Sequence, residues 1–369
     1  MRISEIELYG LRLPLAEPYQ LSRGRTFDGF DSTFIRLVTD AGIEGWGEVC
    51  PWGSSYLPAF AGALRAGVTE LAPHLLGQDP RRVEVLNRLM DAELPGHLYV
   101  KALVDYGLWD ILGKAAGLPV CELLGGREDH RAPVVSSLQN DSREGMLERL
   151  DGWRERGYRA HSLKLGNGGV DADIARVRAL AERRREGELF LFDANGGWTP
   201  WEAIRVMNAA KGLDAWFEQP CVTYAQCLTV RRQTEQAMSL DEVIVDLPDV
   251  SRALADHACD VVNIKLARVG GLTRARRIRD LCLSAGIPML IMCMAGTVVN
   301  DTAVAHFAQA IPEPYCLGTW ACQDMVTVDP APGRGARNID GYMGPPALPG
   351  LGVEPDVELL GEPIARFAA

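Results

Sequence analysis

Three carboxylates stand at the ends of three consecutive apolar, strand-like runs of the chain. They are Asp193, Glu218 and Asp241, and they follow one another at spacings of 25 and 23 residues. Neighbouring strands of a sheet lie about 4.8 Å apart, so three such side chains at one level can meet at a single ion. Each acid alone is typical of a helix cap or a surface charge. Together, as oxygen ligands without histidine or cysteine, they predict a site for a hard cation such as Mg²⁺.

Two lysines lie on strand-like runs on either side of these acids. Alternation along the first run puts Ser162 and Lys164 on one face and His161, interpreted as a structural histidine, on the other. Along the second run Asn263 and Lys265 share a face. A buried lysine is costly unless it is paired or functional, although a single one can extend to the surface. Two lysines around a three-acid site predict acid–base groups whose pKa is lowered by the cation and by burial.

Eight strand-like runs, alternating with helical patterns, carry these residues. The runs span 133–137, 160–165, 189–194, 215–219, 239–243, 260–266, 288–294 and 314–319. Their spacing is typical of the βα repeat of a parallel barrel. A doubly wound open sheet is the alternative. The barrel is favoured because there are eight runs and because polar residues end nearly all of them, whereas an open sheet gathers such residues at one switch point.

The first third of the chain has a different pattern. Strand-like runs at 3–13, 32–39 and 43–48 precede a helical region from about 58 to 124, whose clearest helix spans 100–116. This order predicts an α+β module. The tail from about residue 321 is rich in Pro and Gly, and we expect it to pack back on that module.

Composition narrows the functional classes. The chain has 369 residues, 47% of them hydrophobic, and a net charge of −11, which disfavours binding to nucleic acid. The amino-terminal pattern is that of a strand and not of a signal peptide, and no apolar stretch is long enough to span a membrane. Nine cysteines without C-x-x-C pairs predict a reducing compartment and no zinc site. We therefore expect a cytoplasmic protein that does not bind membranes.

Other motifs are weaker. The glycines at 166–169 and 270–271 are typical of βα turns, and neither a nucleophile elbow nor a phosphate-binding loop is present. The aromatic loop at 50–56, with Trp52 and Tyr56, is interpreted either as a lid over the site or as hairpin packing.

Several of these stretches together resemble the enolase superfamily, in its muconate-lactonizing-enzyme-like subgroup, over essentially the whole chain. They are 108–114, 124–126, 193–195, 218–220, 241–242 and 263–265. The resemblance implies an α/β barrel of the modified TIM type, (β/α)₇β, at 127–321. It also implies an α+β capping domain formed by 1–126 and completed by 322–369.

The resemblance implies a role for each matching position. Asp193, Glu218 and Asp241 correspond to the ligands of one Mg²⁺ per subunit, and Lys164 and Lys265 to the two acid–base catalysts. We expect Ser162, Asn195 and Asn263 to support them. Independently of the resemblance, the aromatic residues Trp52, Tyr56 and Trp320 could offer cation–π faces to a ring ammonium of a small-molecule carboxylate substrate. Relatives commonly form dimers or octamers, so we expect a homo-oligomer.

Two positions depart from the subgroup pattern. Ser162 stands where the subgroup usually has the first lysine of Lys-x-Lys, which leaves the pKa of Lys164 open. The seventh strand ends in the sequence Cys-Met-Ala-Gly-Thr at 293–297, without the acid often found there.

The implied chemistry is removal of the proton alpha to a carboxylate through an enediolate. The second strand, the Cys-Pro-Trp-Gly loop at 50–53 and the stretch 328–333 resemble enzymes that dehydrate cis-3-hydroxy-L-proline to Δ¹-pyrroline-2-carboxylate, with competing 2-epimerisation. The alternative is a racemase or epimerase of another amino-acid derivative, such as a dipeptide or proline betaine. An inactive barrel kept as a binding protein is a third possibility, which the intact acids and lysines disfavour. A sugar-acid dehydratase is disfavoured because the expected His/Asp pair is missing.

Overall fold

The fold is given by a computed structural model that describes residues 1–128, 130–139, 142–214 and 216–368. The strands are β1 (Ile3–Gln20), β2 (Thr26–Thr39), β3 (Glu44–Val49), β4 (Val135–Leu138), β5 (Ala160–Lys164), β6 (Leu189–Asp193), β7 (Trp216–Glu218), β8 (Ala237–Leu240), β9 (Val261–Lys265), β10 (Met289–Met292), β11 (Cys316–Trp320), β12 (Asn338–Ile339), β13 (Tyr342–Met343) and β14 (Ala365–Ala368). The helices are α1 (Ala61–Leu75), α2 (Val83–Glu93), α3 (Leu98–Ala116), α4 (Val120–Leu123), α5 (Arg143–Glu155), α6 (Val170–Ala181), α7 (Pro200–Ala209), α8 (Tyr224–Arg231), α9 (Leu247–Ala255), α10 (Leu272–Ala285), α11 (Val298–Ala308) and α12 (Val357–Leu360).

The strands β4 to β11 form one parallel sheet in chain order, and a bridge between Val134 and Thr319 joins its two edges. The predicted barrel is therefore confirmed, with helices between successive strands. Each predicted run overlaps a strand, and only residue 215 of the fourth run lies outside the described residues. The fifth strand ends earlier than predicted, at Leu240, because the next amide, Asp241 N, donates to the side chain of Gln219 at 3.0 Å.

The antiparallel sheet of the cap has the order β14-β1-β2-β3, and α3 packs against it. The first strand is longer than predicted. Apolar alternation ends near Pro14, which lacks an amide donor, yet pairing with β2 resumes after an irregularity at Tyr19 and Phe27. This extension brings the tip of the β1–β2 hairpin to the barrel.

Buried carboxylates hold the cap on the barrel. Asp105 of α3 accepts hydrogen bonds from the amide and the hydroxyl of Thr273, at 3.0 and 2.6 Å. Glu48 of β3 accepts from Thr297, which precedes α11, at 2.6 Å. The tail contacts both units, because β14 pairs with β1 while the amide of Val134 donates to Gly341. The predicted boundaries at 126 and 322 stay predictions.

No helix in these described segments combines the length and the apolar character that a membrane span needs.

Candidate active site

The three predicted acids lie side by side at the carboxyl ends of adjacent strands. The register of β6 and β7 pairs Asp193 with Glu218, and Asp241 directly follows β8. All three are buried. The backbone turns sharply after β6 and β7, where Asn195 and Gln219 adopt positive φ angles of 44° and 38°. Such angles are uncommon outside glycine and often occur at functional sites, where surrounding contacts stabilise them.

The two predicted lysines approach the acids from opposite sides. The Nζ of Lys164, at the end of β5, lies 2.5 Å from Asp193 Oδ2. The Nζ of Lys265, at the end of β9, lies 2.6 Å from Asp241 Oδ2. Three strands separate β5 from β9 in either direction around the eight-stranded barrel, so their side chains face each other across its mouth.

The central acid, Glu218, has the environment expected of a cation ligand. Its Oε1 accepts a hydrogen bond from Asn263 Nδ2 at 2.8 Å, whereas its buried Oε2 has no hydrogen-bond partner among the residues that the structure describes. Burial, followed by the charges of Asp193 and Asp241, raises the pKa of Glu218 well above its ordinary value. A divalent cation would supply the missing partner and offset the repulsion, so the donor set fits Mg²⁺ in type.

The acids are not gathered around one point. Within the ranges that the structure describes, no three carboxylate, imidazole or thiol groups are placed to hold an ion as they stand. Asp193 and Asp241 are instead each bound to a lysine ammonium. A bound ion would share these carboxylates with the lysines or replace the lysines on them.

The pKa of Lys164 differs from the sequence expectation. Burial alone would lower it, but Asp193, with Tyr19 and Glu218, raises the pKa of Lys164 above its ordinary value. A cation shared by Asp193 would lower this pKa, because it would offset the carboxylate charge that favours the ammonium form. Ser162, where the subgroup has a lysine, lines the same cavity and adds no second positive charge.

Two further predicted residues take the positions expected from the sequence, Asn195 at the site and His161 away from it. The amide of Asn195 donates to Asp193 Oδ1 at 2.8 Å, and its side chain contacts Tyr56. His161 points the other way, as predicted, and is hydrogen-bonded to Ser136 at 2.7 Å.

Aromatic side chains form one wall of the cavity beside the lysines. The ring of Trp52 lies 5.2 Å from Tyr19, 6.0 Å from Tyr56 and 6.4 Å from Trp320, measured between centroids. Their polar atoms bond to other residues: Tyr56 donates to Glu242, Trp320 to Ser137, and Trp52 to the carbonyl of Met294. Trp52 also packs on Phe27 and Phe30 of the hairpin, so the aromatic loop both borders the site and joins the hairpin packing. The space left in the cavity is about 30 Å³.

Sequence reasoning missed several residues of this site. Arg268 donates to Asp241 Oδ1 at 2.5 Å. Burial alone would raise the pKa of Asp241, but the positive charges of Arg268 and Lys265 lower it below its ordinary value. Burial and the nearby acids raise the pKa of Glu242 to about 7. Glu242 adjoins a predicted ligand, a signal that was available in the sequence. Tyr19 lies beyond the predicted first strand, and Arg268 lies just before the glycines at 270–271, which are typical of a turn.

Comparison with known proteins agrees with this geometry. Residues 5–125 match the family described as "Mandelate racemase / muconate lactonizing enzyme, N-terminal domain", and residues 145–359 match "Enolase C-terminal domain-like". The chain belongs to this family of the enolase superfamily. The resemblance found in the sequence is thereby confirmed.

Individual relatives cover most or all of the chain. A cis-3-hydroxy-L-proline dehydratase of Roseibium aggregatum is 41% identical over 369 residues, 100% of both chains. An N-succinyl-L-Arg/Lys racemase of Bacillus cereus is 29% identical over 84% of both chains. The crystal structure of an enolase-superfamily member from Roseovarius nubinhibens complexed with magnesium is 46% identical, with a TM-score of 0.96 and full coverage of both chains.

Proposed function

We propose that this chain is a Mg²⁺-dependent lyase that dehydrates cis-3-hydroxy-L-proline to Δ¹-pyrroline-2-carboxylate. The observation that carries the proposal is the pair of lysines facing each other across the barrel mouth, Lys164 on β5 and Lys265 on β9. The full-length similarity to a dehydratase of this substrate supports the choice of substrate.

The stereochemistry of the substrate suits two opposed lysines. In the cis isomer the hydroxyl and the carboxylate share a ring face, so the α hydrogen lies on the face opposite the hydroxyl. A neutral lysine on one side takes the proton from Cα, and the lysine on the other side gives a proton to the departing hydroxyl, which leaves as water. The electron pair of the Cα–H bond becomes the new C=C bond. The resulting enamine tautomerises to Δ¹-pyrroline-2-carboxylate.

Asp193, Glu218 and Asp241 would hold one Mg²⁺ per subunit. When bound, the ion supplies positive charge for the substrate carboxylate and for the negative charge that develops as the proton leaves. The Oε2 of Glu218, which has no hydrogen-bond partner in the described part of the chain, supports this assignment. Arg268 keeps Asp241 ionised and oriented through its bond to Oδ1.

The aromatic wall would receive the ring ammonium through cation–π contact. The guanidinium of Arg25 lies 5.2 Å from the ring centre of Tyr56, so one face of that ring already holds a cation. Trp52 and Trp320 are therefore better placed for this role than Tyr56.

A second candidate is an epimerase or racemase of an amino-acid derivative. The same lysine pair favours it, since the second lysine can return a proton to Cα from the other face. Relatives with racemase and epimerase activities support this alternative.

Proton NMR in D₂O tests both candidates with protein, Mg²⁺ and cis-3-hydroxy-L-proline. Loss of the α-proton signal with appearance of Δ¹-pyrroline-2-carboxylate supports the dehydratase. Exchange or epimer without elimination supports the epimerase. The trans-3 isomer is the matched control. Its hydroxyl and α hydrogen share a ring face, so it cannot undergo anti elimination. No change with any proline derivative would overturn the substrate assignment.

A further inference from the structure

Ser137, on the first barrel strand β4, receives two hydrogen bonds from the wall of the cavity. Tyr19 donates its hydroxyl to Ser137 Oγ at 3.0 Å, and Trp320 donates its indole N–H to the same atom at 3.1 Å. Tyr19 comes from the cap and Trp320 from the last barrel strand, β11. One buried hydroxyl therefore joins the hairpin of the cap to both edges of the barrel sheet.

A second cavity lies behind this joint. Its volume is about 260 Å³, and its lining includes Tyr19, Ser137, Gln139 and Asp324. Tyr19 thus separates the site from open space. The ring of Tyr19 packs on Trp52, with centroids 5.2 Å apart, and its bond to Ser137 is the polar contact that holds its hydroxyl away from the second cavity.

The position of this ring decides how large a substrate the site accepts. The space in front of it is about 30 Å³, whereas the space behind it is about 260 Å³, so the wall has more room to retreat than to advance. A ring larger by one methylene needs the wall to retreat further, and the free volume behind Tyr19 is where the wall can go.

We propose that Ser137 and Tyr19 form a specificity-determining pair that limits the ring size of the substrate, an inference that rests on the proposed function. Without the serine hydroxyl, the buried hydroxyl of Tyr19 lacks its acceptor. Such groups turn toward any available partner, and Gln139 and Asp324 in the second cavity offer acceptors. The ring of Tyr19 then tips backward and the site widens.

The strand supplies a matched control for this test. Ser136 is buried like Ser137, but it bonds to His161 on the outer face of the barrel strand. We compare kcat/KM for cis-3-hydroxy-L-proline and its six-membered homologue, cis-3-hydroxy-L-pipecolate, in wild type, Ser137→Ala and Ser136→Ala. Because one methylene in a fitted pocket changes specificity by 10-fold or more, we expect Ser137→Ala to shift the ratio toward the larger ring by about 10-fold.

The ratio of Ser136→Ala should stay within about 2-fold of wild type, since it leaves the wall intact. Tyr19→Phe removes the hydroxyl that would turn toward the second cavity, so adding Ser137→Ala to Tyr19→Phe should shift the ratio much less than Ser137→Ala does in wild type. Ser137→Thr keeps the hydroxyl, so its ratio of the two kcat/KM values should stay close to that of wild type. An unchanged ratio in Ser137→Ala, or an equal shift in Ser136→Ala, would overturn the proposal.

A crystal structure of ligand-free Ser137→Ala decides the point without any substrate. In this variant we expect the ring of Tyr19 to be displaced toward the second cavity. A ring that stays in its wild-type position would contradict the proposal. If wild type turns over neither ring compound, the proposed function fails, while the position of Tyr19 still tests this inference.

Discussion

At the scale of single residues, the two lysines have the most direct test. Lys164→Met and Lys265→Met each remove a proton-transfer group, and general acid–base catalysis contributes about 10²- to 10⁴-fold to a rate. We expect turnover of cis-3-hydroxy-L-proline to fall by at least about 100-fold in each variant, with the circular dichroism spectrum unchanged. Lys211→Met is the control, because this lysine pairs with Glu235 on the surface. Wild-type activity in either site variant would contradict the two-lysine scheme.

Glu218 connects the charge of the site to metal binding and stability. Its ionised form is disfavoured by burial and by the neighbouring acids, as the raised pKa indicates. Glu218→Gln removes this charge and keeps the oxygen that accepts from Asn263. At neutral pH we expect the variant to melt no lower than wild type without metal, and to lose the rise in melting temperature that Mg²⁺ causes.

Thermal melts with EDTA and with a Mg²⁺ series measure both effects of Glu218→Gln, and calorimetry measures the metal affinity directly. Glu202→Gln, at an exposed helix cap, is the control and should respond to Mg²⁺ as wild type does. A Glu218→Gln variant that binds Mg²⁺ with wild-type affinity would exclude this residue as a ligand.

At the scale of elements, His306 makes the stability of one junction depend on pH. This junction joins α11, α4 and the carboxyl-terminal tail. On α11, the Nδ1 of His306 accepts from the amide of Cys121 at 3.2 Å, and its Nε2 faces the carbonyl of Leu351 at 2.9 Å. Both contacts are satisfied by the neutral ring, and burial lowers the pKa of His306 to about 4. A second proton would place two N–H donors against each other, since Cys121 also donates.

This lowered pKa predicts acid sensitivity with a defined sign. The stabilisation is present above the ordinary histidine pKa of about 6.5 and is lost as the pH falls toward 4, by up to about 3 kcal/mol. His306→Gln should lack this component, so the difference in unfolding free energy between it and wild type should shrink as the pH falls. Urea unfolding at several pH values between about 7.5 and 4.5 measures it. The exposed His74→Gln is the control, and parallel profiles for wild type and His306→Gln would contradict the assignment.

At the scale of the whole molecule, Glu48 joins the cap to the barrel. Its two oxygens accept from Ser32 and Thr297 side chains and from the amides of Thr297 and Asn300, at 2.6 to 3.1 Å. Glu48→Gln turns an NH₂ group toward donors, so we expect a loss of about 1–3 kcal/mol in unfolding free energy. Glu354→Gln, half-exposed in its pair with Lys114, is the control and should change little. Equal stability of Glu48→Gln and wild type would show that the junction does not depend on this carboxylate.

The sequence by itself determined the barrel and predicted the five charged residues that meet at its mouth. Strand periodicity and the polar residue at the end of each run are local signals, and in a parallel barrel all strand ends meet at one mouth. The positions of Asp193, Glu218 and Asp241 along the chain therefore placed them together, and alternation placed Lys164 and Lys265 on faces that reach them.

Only the tertiary structure decided what borders these residues. Tyr19 meets Ser137 across 118 positions of the chain, and the contact exists because the hairpin of the cap extends past Pro14 onto the barrel. The upward shift in the pKa of Lys164 likewise depends on its 2.5 Å contact with Asp193. Hydrogen bonds and charge effects act over a few ångströms in space, and no local pattern of residue types encodes which distant segments come that close.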